Sequence, residues 1–139
     1  MKIFLGGTYS KGFDYRTILI PLLEENSIDY FNPVVDDWTP DCIAEEKHQK
    51  EVCDIHLYVI TSNMKGVYSI AETFASHIQG KRSIFVVIEE GFDESQMKSL
   101  NATSQLFAEC GGESWILTDN SDINSEFVAD IVRNVKWKF

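Results

Sequence analysis

Five short apolar runs recur along the chain, and each is followed by a longer stretch in which apolar positions return at helical spacing. Short apolar runs predict buried strands, and the longer stretches predict amphipathic helices. The predicted strands are residues 2–5, 28–31, 55–60, 83–88 and 114–117, and the predicted helices lie near residues 14–26, 42–53, 67–79, 94–110 and 122–137.

The regular alternation of strand and helix predicts right-handed βαβ crossovers and one sheet covered on both faces. We therefore predict a three-layer α/β fold, flavodoxin-like or Rossmann-like, with a five-stranded, mostly parallel sheet. One domain over residues 1–139 is the expected organisation. Pro21 should kink or delay the first helix, and Gly111-Gly112 should end the fourth.

Composition narrows the class of protein. The chain has 139 residues, 44% of them hydrophobic, which suits a core that needs no disulfide or metal. Its 22 acidic and 12 basic side chains give a net charge of −10, which disfavours binding to duplex nucleic acid. Three cysteines without a CxxC pair indicate reduced thiols. Since we find no long apolar run and no signal peptide, we expect a cytoplasmic protein that does not bind a membrane.

The loop after the first strand, GGTYSKG, is a candidate ligand loop, because ligands of parallel sheets collect at the carboxyl ends of strands. Gly6 and Gly7 permit close approach of backbone to a ligand, and Thr8 and Tyr9 follow them. A phosphate or sugar hydroxyls could bind there, although a tight turn after a buried strand explains the glycines equally well. The loop matches neither a Walker motif nor a dinucleotide fingerprint, and we predict no cofactor.

The loop after the second strand carries Asp36 and Asp37 beside Trp38. Two carboxylates next to an aromatic face could bind the polar edge of a base and stack on its ring. An acidic loop with a half-buried tryptophan is an equally good interpretation. The histidines, His48, His56 and His77, lack metal-ligand spacing, and we predict no metal site.

The third helix has an apolar stripe that we interpret as its core face, formed by Val67, Ile70, Ala71, Phe74 and Ile78. Glu72 lies off that stripe, on the flank that also carries Tyr68 and Ser69. The nearby helix N-terminus would favour the ionised carboxylate, which suits a nucleophile. A solvated surface glutamate is the ordinary alternative.

Taken together, the segments KIFLGGT, YFNPVVDDW, CDIHLYVIT and GVYSIAE and the helix containing Arg16 resemble the nucleoside 2-deoxyribosyltransferase family and the related 2'-deoxynucleotide N-hydrolases. The resemblance runs from Met1 to about Lys81, and GVYSIAE is its most specific part. KSL at 98–100 and CGG at 110–112 extend it weakly.

This resemblance implies N-glycosidic bond cleavage or transfer on a nucleoside or nucleotide. Glu72 would attack the anomeric carbon, and Glu46 would protonate the leaving base. Thr8 and the amides of Gly6 and Gly7 would hold sugar or phosphate. The other expected substrate-binding residues are Tyr9, Asp36, Asp37, Trp38, Tyr68 and Ser69.

Three departures from the family pattern keep other functions open. Phe4 stands where the family has a tyrosine whose hydroxyl contacts the nucleophile, and residues 62–66 lack a second acidic group that the transferases carry. C-terminal residues that family members lend to a neighbouring subunit are not recognisable. A non-catalytic protein that senses or sequesters a nucleotide-derived molecule is the main alternative. Hydrolysis of a dinucleotide is a third, less favoured for lack of a fingerprint.

The family resemblance also implies a homodimer or higher homo-oligomer, with pockets completed across subunits. The predicted last helix supports this expectation, because it carries more apolar and aromatic side chains than a small sheet needs, namely Phe127, Ile131, Val135 and Trp137. Simple packing of that helix on the sheet is the alternative.

Overall fold

The computed structural model of the protein describes residues 1–133. Strands and helices alternate, and a short 3-10 helix, Asn120–Asp122, precedes the last helix. The strands are β1 (Lys2–Gly7), β2 (Asp29–Phe31), β3 (Ile55–Ile60), β4 (Arg82–Ile88) and β5 (Glu113–Leu117), and the helices are α1 (Arg16–Glu25), α2 (Pro40–Val52), α3 (Tyr68–Ile78), α4 (Glu94–Glu109) and α5 (Ser125–Arg133). All five predicted strands and all five predicted helices are present, and residues 134–137 of the predicted last helix lie outside the described part.

The sheet has the strand order β2-β1-β3-β4-β5, and every neighbouring pair is parallel. This confirms the predicted α/β fold in its flavodoxin-like order. From β1 the chain first runs outward to β2 and then crosses back to β3 on the other side. The loops after β1 and β3 therefore diverge and leave a crevice at their carboxyl ends, where ligands of such sheets bind.

Alternate residues of the strands pack on opposite faces of the sheet, which makes three layers. Leu57 and Val86 belong to the cluster covered by α1 and α5, whereas Phe85 and Val87 belong to the cluster covered by α3 and α4. A smaller cluster around Phe4 includes residues of β2, β3 and the end of α2. β3 and β4 are buried along their full lengths, as the uninterrupted apolar runs of a central parallel sheet predict.

The predicted core stripe of α3 is wrong in part. Ile70 and Phe74 do pack against the core, but Val67 and Ile78 are 70% and 81% exposed and Ala71 is exposed as well. The helix turns its polar residues Thr73 and Ser76 inward instead. The Ser76 hydroxyl bonds to His56 of the sheet. The Thr73 hydroxyl donates to the Ser69 carbonyl within α3, and the backbone carbonyl of Thr73 accepts from the Ser83 hydroxyl of β4 at 2.8 Å.

The first and last helices differ in detail from the sequence pattern. α1 begins at Arg16 and continues through Pro21. In α5, Phe127 and Ile131 are buried in the core cluster that also contains α1, so packing on the sheet explains these two side chains. Val135 and Trp137 lie outside the described residues. Within residues 1–133, no helix has both the length and the apolar character that a membrane span requires.

Candidate active site

A cavity of about 210 Å³ opens at the carboxyl edge of the sheet, beside the crevice between β1 and β3. Residues from β1 and its loop, the loop after β2, and helices α1, α2 and α3 form its walls. The lining residues are Phe4, Gly6, Gly7, Tyr9, Arg16, Pro33, Val34, Glu46 and Glu72. The cavity therefore contains both carboxyl groups that the sequence singled out.

The Lys50 ammonium connects the two helices that carry these carboxyl groups. Glu46 and Lys50 are one turn apart on α2, and the Lys50 Nζ forms an ion pair with the Glu72 Oε2 on α3. Both members of the pair are largely buried, with side chains 26% and 17% exposed. The same ammonium lies 5.4 Å from the centroid of the Phe4 ring, within the range of a cation–π contact.

Glu46 has the environment of a proton donor. Burial raises the pKa of the Glu46 carboxyl, the Lys50 ammonium lowers it in part, and the Glu72 carboxylate raises it further. The net effect is a raised pKa, because the cost of removing the charged form from water exceeds the attraction of the ammonium. Two carboxyl groups in one cavity with different surroundings are a common arrangement for an acid and a nucleophile.

A buried chain of hydrogen bonds fixes the position of α2 against β3 and α3. The Lys50 carbonyl accepts from the His56 Nε2 at 2.8 Å, and the His56 Nδ1 lies 2.8 Å from the Ser76 hydroxyl. Tyr58 continues the chain at 2.7 Å from Ser76. Because a carbonyl only accepts, His56 carries its proton on Nε2, Ser76 donates to Nδ1, and Tyr58 donates to Ser76.

His56 should make stability depend on pH. Burial lowers the pKa of His56 to about 4, whereas an unfolded histidine titrates near 6.5. This shift changes the free energy of unfolding by up to about 3 kcal/mol between neutral and acidic pH. This contribution is complete above about pH 6.5 and is lost as the pH falls toward 4, because the unfolded chain binds the proton first. We expect the free energy of unfolding, measured with urea, to fall across this window more steeply in wild type than in His56→Gln. His48→Gln, at an exposed position, should keep the wild-type slope, and equal slopes in all three proteins would contradict the assignment.

Arg16 shapes the wall of the cavity under the loop after β1. Its guanidinium is buried, donates to the Leu5 carbonyl at 2.9 Å and the Thr8 carbonyl at 3.1 Å, and pairs with Asp14 at 2.9 Å. Nε and Nη1 make these contacts, and together they hold the loop that follows β1. The Arg16 side chain, with its charge paired to Asp14, then forms part of the cavity wall.

The glycines of the predicted ligand loop are required for close packing as well as for access. A methyl group on Gly6 would lie 2.6 Å from the Tyr58 ring. Gly7 has a φ of +108°, and the Thr8 hydroxyl accepts from the Thr61 amide at 3.1 Å. The loop is therefore held rigidly against β3.

The structure divides the predicted substrate-binding residues into three groups. Gly6, Gly7 and Tyr9 line the cavity with the two carboxyl groups. An adjoining space of about 170 Å³ is lined by Gly7, Thr8 and Tyr9 together with Tyr68 and Ser69 at the start of α3. The two spaces share Gly7 and Tyr9, so they form neighbouring parts of one region.

The third group comprises Asp36, Asp37 and Trp38. All three are exposed, Trp38 by 63%, on the loop between β2 and α2. They do not line the cavity, which that loop reaches through Pro33 and Val34 instead. Contact of these three side chains with a base stays a prediction.

Five residues in or beside the cavity were not among the predicted site residues, namely Phe4, Arg16, Pro33, Val34 and Lys50. The sequence signals for them were indirect: Arg16, Pro33 and Val34 lie in segments that carry the family resemblance. Glu46 and Lys50 are four residues apart on a predicted helix, a spacing typical of a paired surface face. No sequence pattern shows that a lysine of α2 reaches a glutamate 22 positions away.

Phe4→Tyr tests the departure from the family on the first strand. Phe4 is buried but lines the cavity, and Lys50 and Glu72 are near it. We expect the added hydroxyl to find a partner there and to raise turnover with little change in melting temperature. A lower melting temperature, equivalent to about 1–3 kcal/mol, without a gain in rate would show a buried hydroxyl without a partner.

Fold and site together define an α/β protein of flavodoxin-like order, with a carboxyl-lined cavity at its topological switch point. Comparison of the sequence with protein-family models identifies the family to which the chain belongs. A model described as nucleoside 2-deoxyribosyltransferase like matches residues 1–92, and the chain belongs to this family. The match spans β1 to β4 with α1, α2 and α3, and so includes the whole lining of the cavity. No curated protein and no solved structure matched the chain.

Proposed function

We propose that the protein cleaves or transfers the N-glycosidic bond of a nucleoside or nucleotide. The observation that carries this proposal is the placement of Glu72 and Glu46 in one cavity at the carboxyl edge of the sheet. The family of the chain supports the same chemistry. A cavity of about 210 Å³ with a neighbouring space of about 170 Å³ suits a pentose with an attached group on one side.

In the proposed reaction, the Glu72 carboxylate attacks the anomeric carbon of the sugar while the bond from that carbon to the base breaks. The electron pair of the broken bond stays on the base nitrogen, which takes a proton from Glu46. The Glu46 carboxylate then accepts a proton from water or from a second base as that molecule attacks the same carbon. This second attack breaks the bond between the sugar and Glu72, which leaves as a carboxylate, while Glu46 is protonated again.

The remaining contacts of the substrate follow from the geometry of the loops. In this proposal the amides of Gly6 and Gly7 and the Thr8 hydroxyl hold sugar or phosphate, next to the Arg16 side chain. Tyr9, Tyr68 and Ser69 border the same region. Asp36, Asp37 and Trp38 would reach the base if their exposed loop folds over it.

Incubation with 2'-deoxynucleosides and their 5'-monophosphates, with and without a free acceptor base, tests the proposal. We expect chromatography to show released base or a new nucleoside. Intact-protein mass spectrometry should show a glycosyl adduct whose digest maps to the peptide containing Glu72. Absence of both products with every substrate would contradict an enzyme of this kind.

Binding without turnover is the second candidate function. The observations that favour it are Phe4 in place of a tyrosine and the lack of a second acidic group in residues 62–66. Thermal unfolding with the same compounds separates the two functions, since a ligand at about 100 times its dissociation constant stabilises by about 2.7 kcal/mol. Stabilisation without product would establish a binding protein.

We also propose that the protein is cytoplasmic and forms a homodimer or a multiple of one. The thiols of Cys42, Cys53 and Cys110 are free, which supports a reducing compartment. The exposed Val67, Tyr68 and Ile78 leave apolar surface on α3 that an assembly could cover. Light scattering at micromolar concentration should give twice the monomer mass or a multiple of it, and a monomeric mass would exclude pockets shared between subunits.

A further inference from the structure

The Lys50 side chain connects α2 with α3 through its ion pair with Glu72, and it is not a member of the predicted acid and nucleophile pair. We propose that Lys50 is a positioning residue, which holds the Glu72 carboxylate in place for attack and separates it from the Glu46 carboxyl. This inference rests on the proposed function and adds to it a residue that was not among the predicted site residues.

The surroundings of the Lys50 ammonium restrict where it can lie. One side faces the Glu72 carboxylate in the ion pair, and another faces the Phe4 ring at 5.4 Å. A phenylalanine ring attracts a cation to its face and offers no hydrogen bond that would compete with Glu72. The ammonium is therefore directed to the carboxylate. It lies beside Phe4, and Phe4 is the position at which the family resemblance implies a tyrosine hydroxyl.

The backbone of Lys50 is fixed independently of its side chain. Its carbonyl accepts from His56, and His56 in turn bonds to Ser76, one helical turn after Glu72 on α3. Lys50 and Glu72 are thus joined twice, directly through the ion pair and indirectly through this buried chain of hydrogen bonds. Two connections between α2 and α3 limit sliding of the helices, so the separation of Glu46 from Glu72 is fixed as well.

The ionisable groups around Lys50 come from five parts of the fold, namely the loop after β1, α1, α2, α3 and the turn before β4. Lys50 and Glu72 also line a groove of about 560 Å³ between α2 and α3, whose Lys81 donates to the carbonyls of Glu51 and Cys53. The charged or titratable groups of cavity and groove are Tyr9, Arg16, Glu46, Lys47, Glu51, Tyr68, Glu72 and Lys81. Among them, Glu46 responds to Lys50 directly: the ammonium lowers the pKa of its carboxyl against the opposing effects of burial and Glu72.

The test compares Lys50→Met, Lys50→Arg and the control Lys98→Met, whose side chain is exposed on α4 and outside the site. In Lys50→Met we expect kcat to fall about 10²-fold, the cost of a misplaced reacting group, with a smaller change in KM. The basic limb of the pH–rate profile should move to higher pH, because Glu46 loses the cation that lowers its pKa. Lys50→Arg should restore most of kcat, and Lys98→Met should match wild type.

A second measurement needs no turnover. The pH titration of the Glu46 carboxyl carbon by NMR, assigned with Glu46→Gln, should shift to higher pH in Lys50→Met and stay unchanged in Lys98→Met. A wild type without any turnover would overturn the proposed function, and this titration would still decide whether Lys50 acts between the two carboxyl groups. Wild-type kcat in Lys50→Met, a loss that Lys50→Arg does not restore, or an unmoved Glu46 titration would each overturn the role of Lys50.

Discussion

Glu72→Gln should abolish turnover while the protein stays folded. The amide keeps the volume of the carboxyl group but cannot attack the anomeric carbon, so kcat should fall by at least about 10³-fold, as for removal of other nucleophiles. The glutamine amide oxygen can still accept a hydrogen bond from Lys50, so loss of this largely buried ion pair should cost about 1–3 kcal/mol, which leaves the protein folded. The measurements are release of base under saturating substrate, and urea denaturation.

Glu109→Gln is the matched control, since it makes the same chemical change on the exposed end of α4. It should keep wild-type turnover and stability. Glu72→Gln should also lose the glycosyl adduct in mass spectrometry, which distinguishes a missing nucleophile from weak substrate binding. Turnover near wild type in Glu72→Gln would exclude this residue as the nucleophile.

Gly7→Ala should be the most destabilising single change at the loop after β1. Gly7 has a φ of +108°, and a methyl group there would lie less than 3.0 Å from backbone atoms of Val59 in β3. Relief would require β1 and β3 to separate at the site where the Thr8 amide donates to the Val59 carbonyl at 2.9 Å. We expect a loss of about 3–5 kcal/mol in the free energy of unfolding, measured with urea.

Alanine substitutions at two other glycines distinguish the cost of backbone strain from the cost of a steric clash. Gly80 has a φ of +87° but open space around it, so Gly80→Ala should cost about 1–2 kcal/mol from backbone strain alone. Gly66 has neither a positive φ nor a neighbour within 4 Å, and Gly66→Ala should change stability by less than about 1 kcal/mol. A cost at Gly7 no greater than at Gly80 would show that β1 and β3 adapt to the methyl group.

Much of the fold could be predicted from the sequence, because strand and helix patterns here are strong and alternate without exception. The run IHLYVI coincides with β3, and its mostly apolar character, interrupted only by His56, reflects burial on both faces of the sheet. Parallel topology brings the strand ends to one edge, which is why the sequence alone connects Gly6 and Gly7 with a ligand site. The last helical turn before Gly111 also ends where the glycine predicts, at a φ of +91°.

The candidate site was only partly predictable. Glu72 and Glu46 stood out through a resemblance to a family, and the fold brings them to one cavity. Trp38 and its acidic neighbours had an equally suggestive sequence, but the structure leaves them exposed. Composition of a loop indicates what it could bind, whereas its path over the surface depends on contacts with the rest of the chain.

Tertiary contacts decided the rotation of α3 and the partner of Glu72. Periodicity shows which positions of a helix are apolar, yet the face that turns inward depends on what the sheet offers, and here His56 and Ser83 offer hydrogen bonds. Leaving the two buried polar groups without partners would cost about 1–3 kcal/mol each, which together matches or exceeds the gain of about 1.5–3 kcal/mol from burying one isoleucine side chain. The ion pair of Lys50 with Glu72 likewise exists only because the parallel sheet sets α2 beside α3, so charges distant in sequence meet in space.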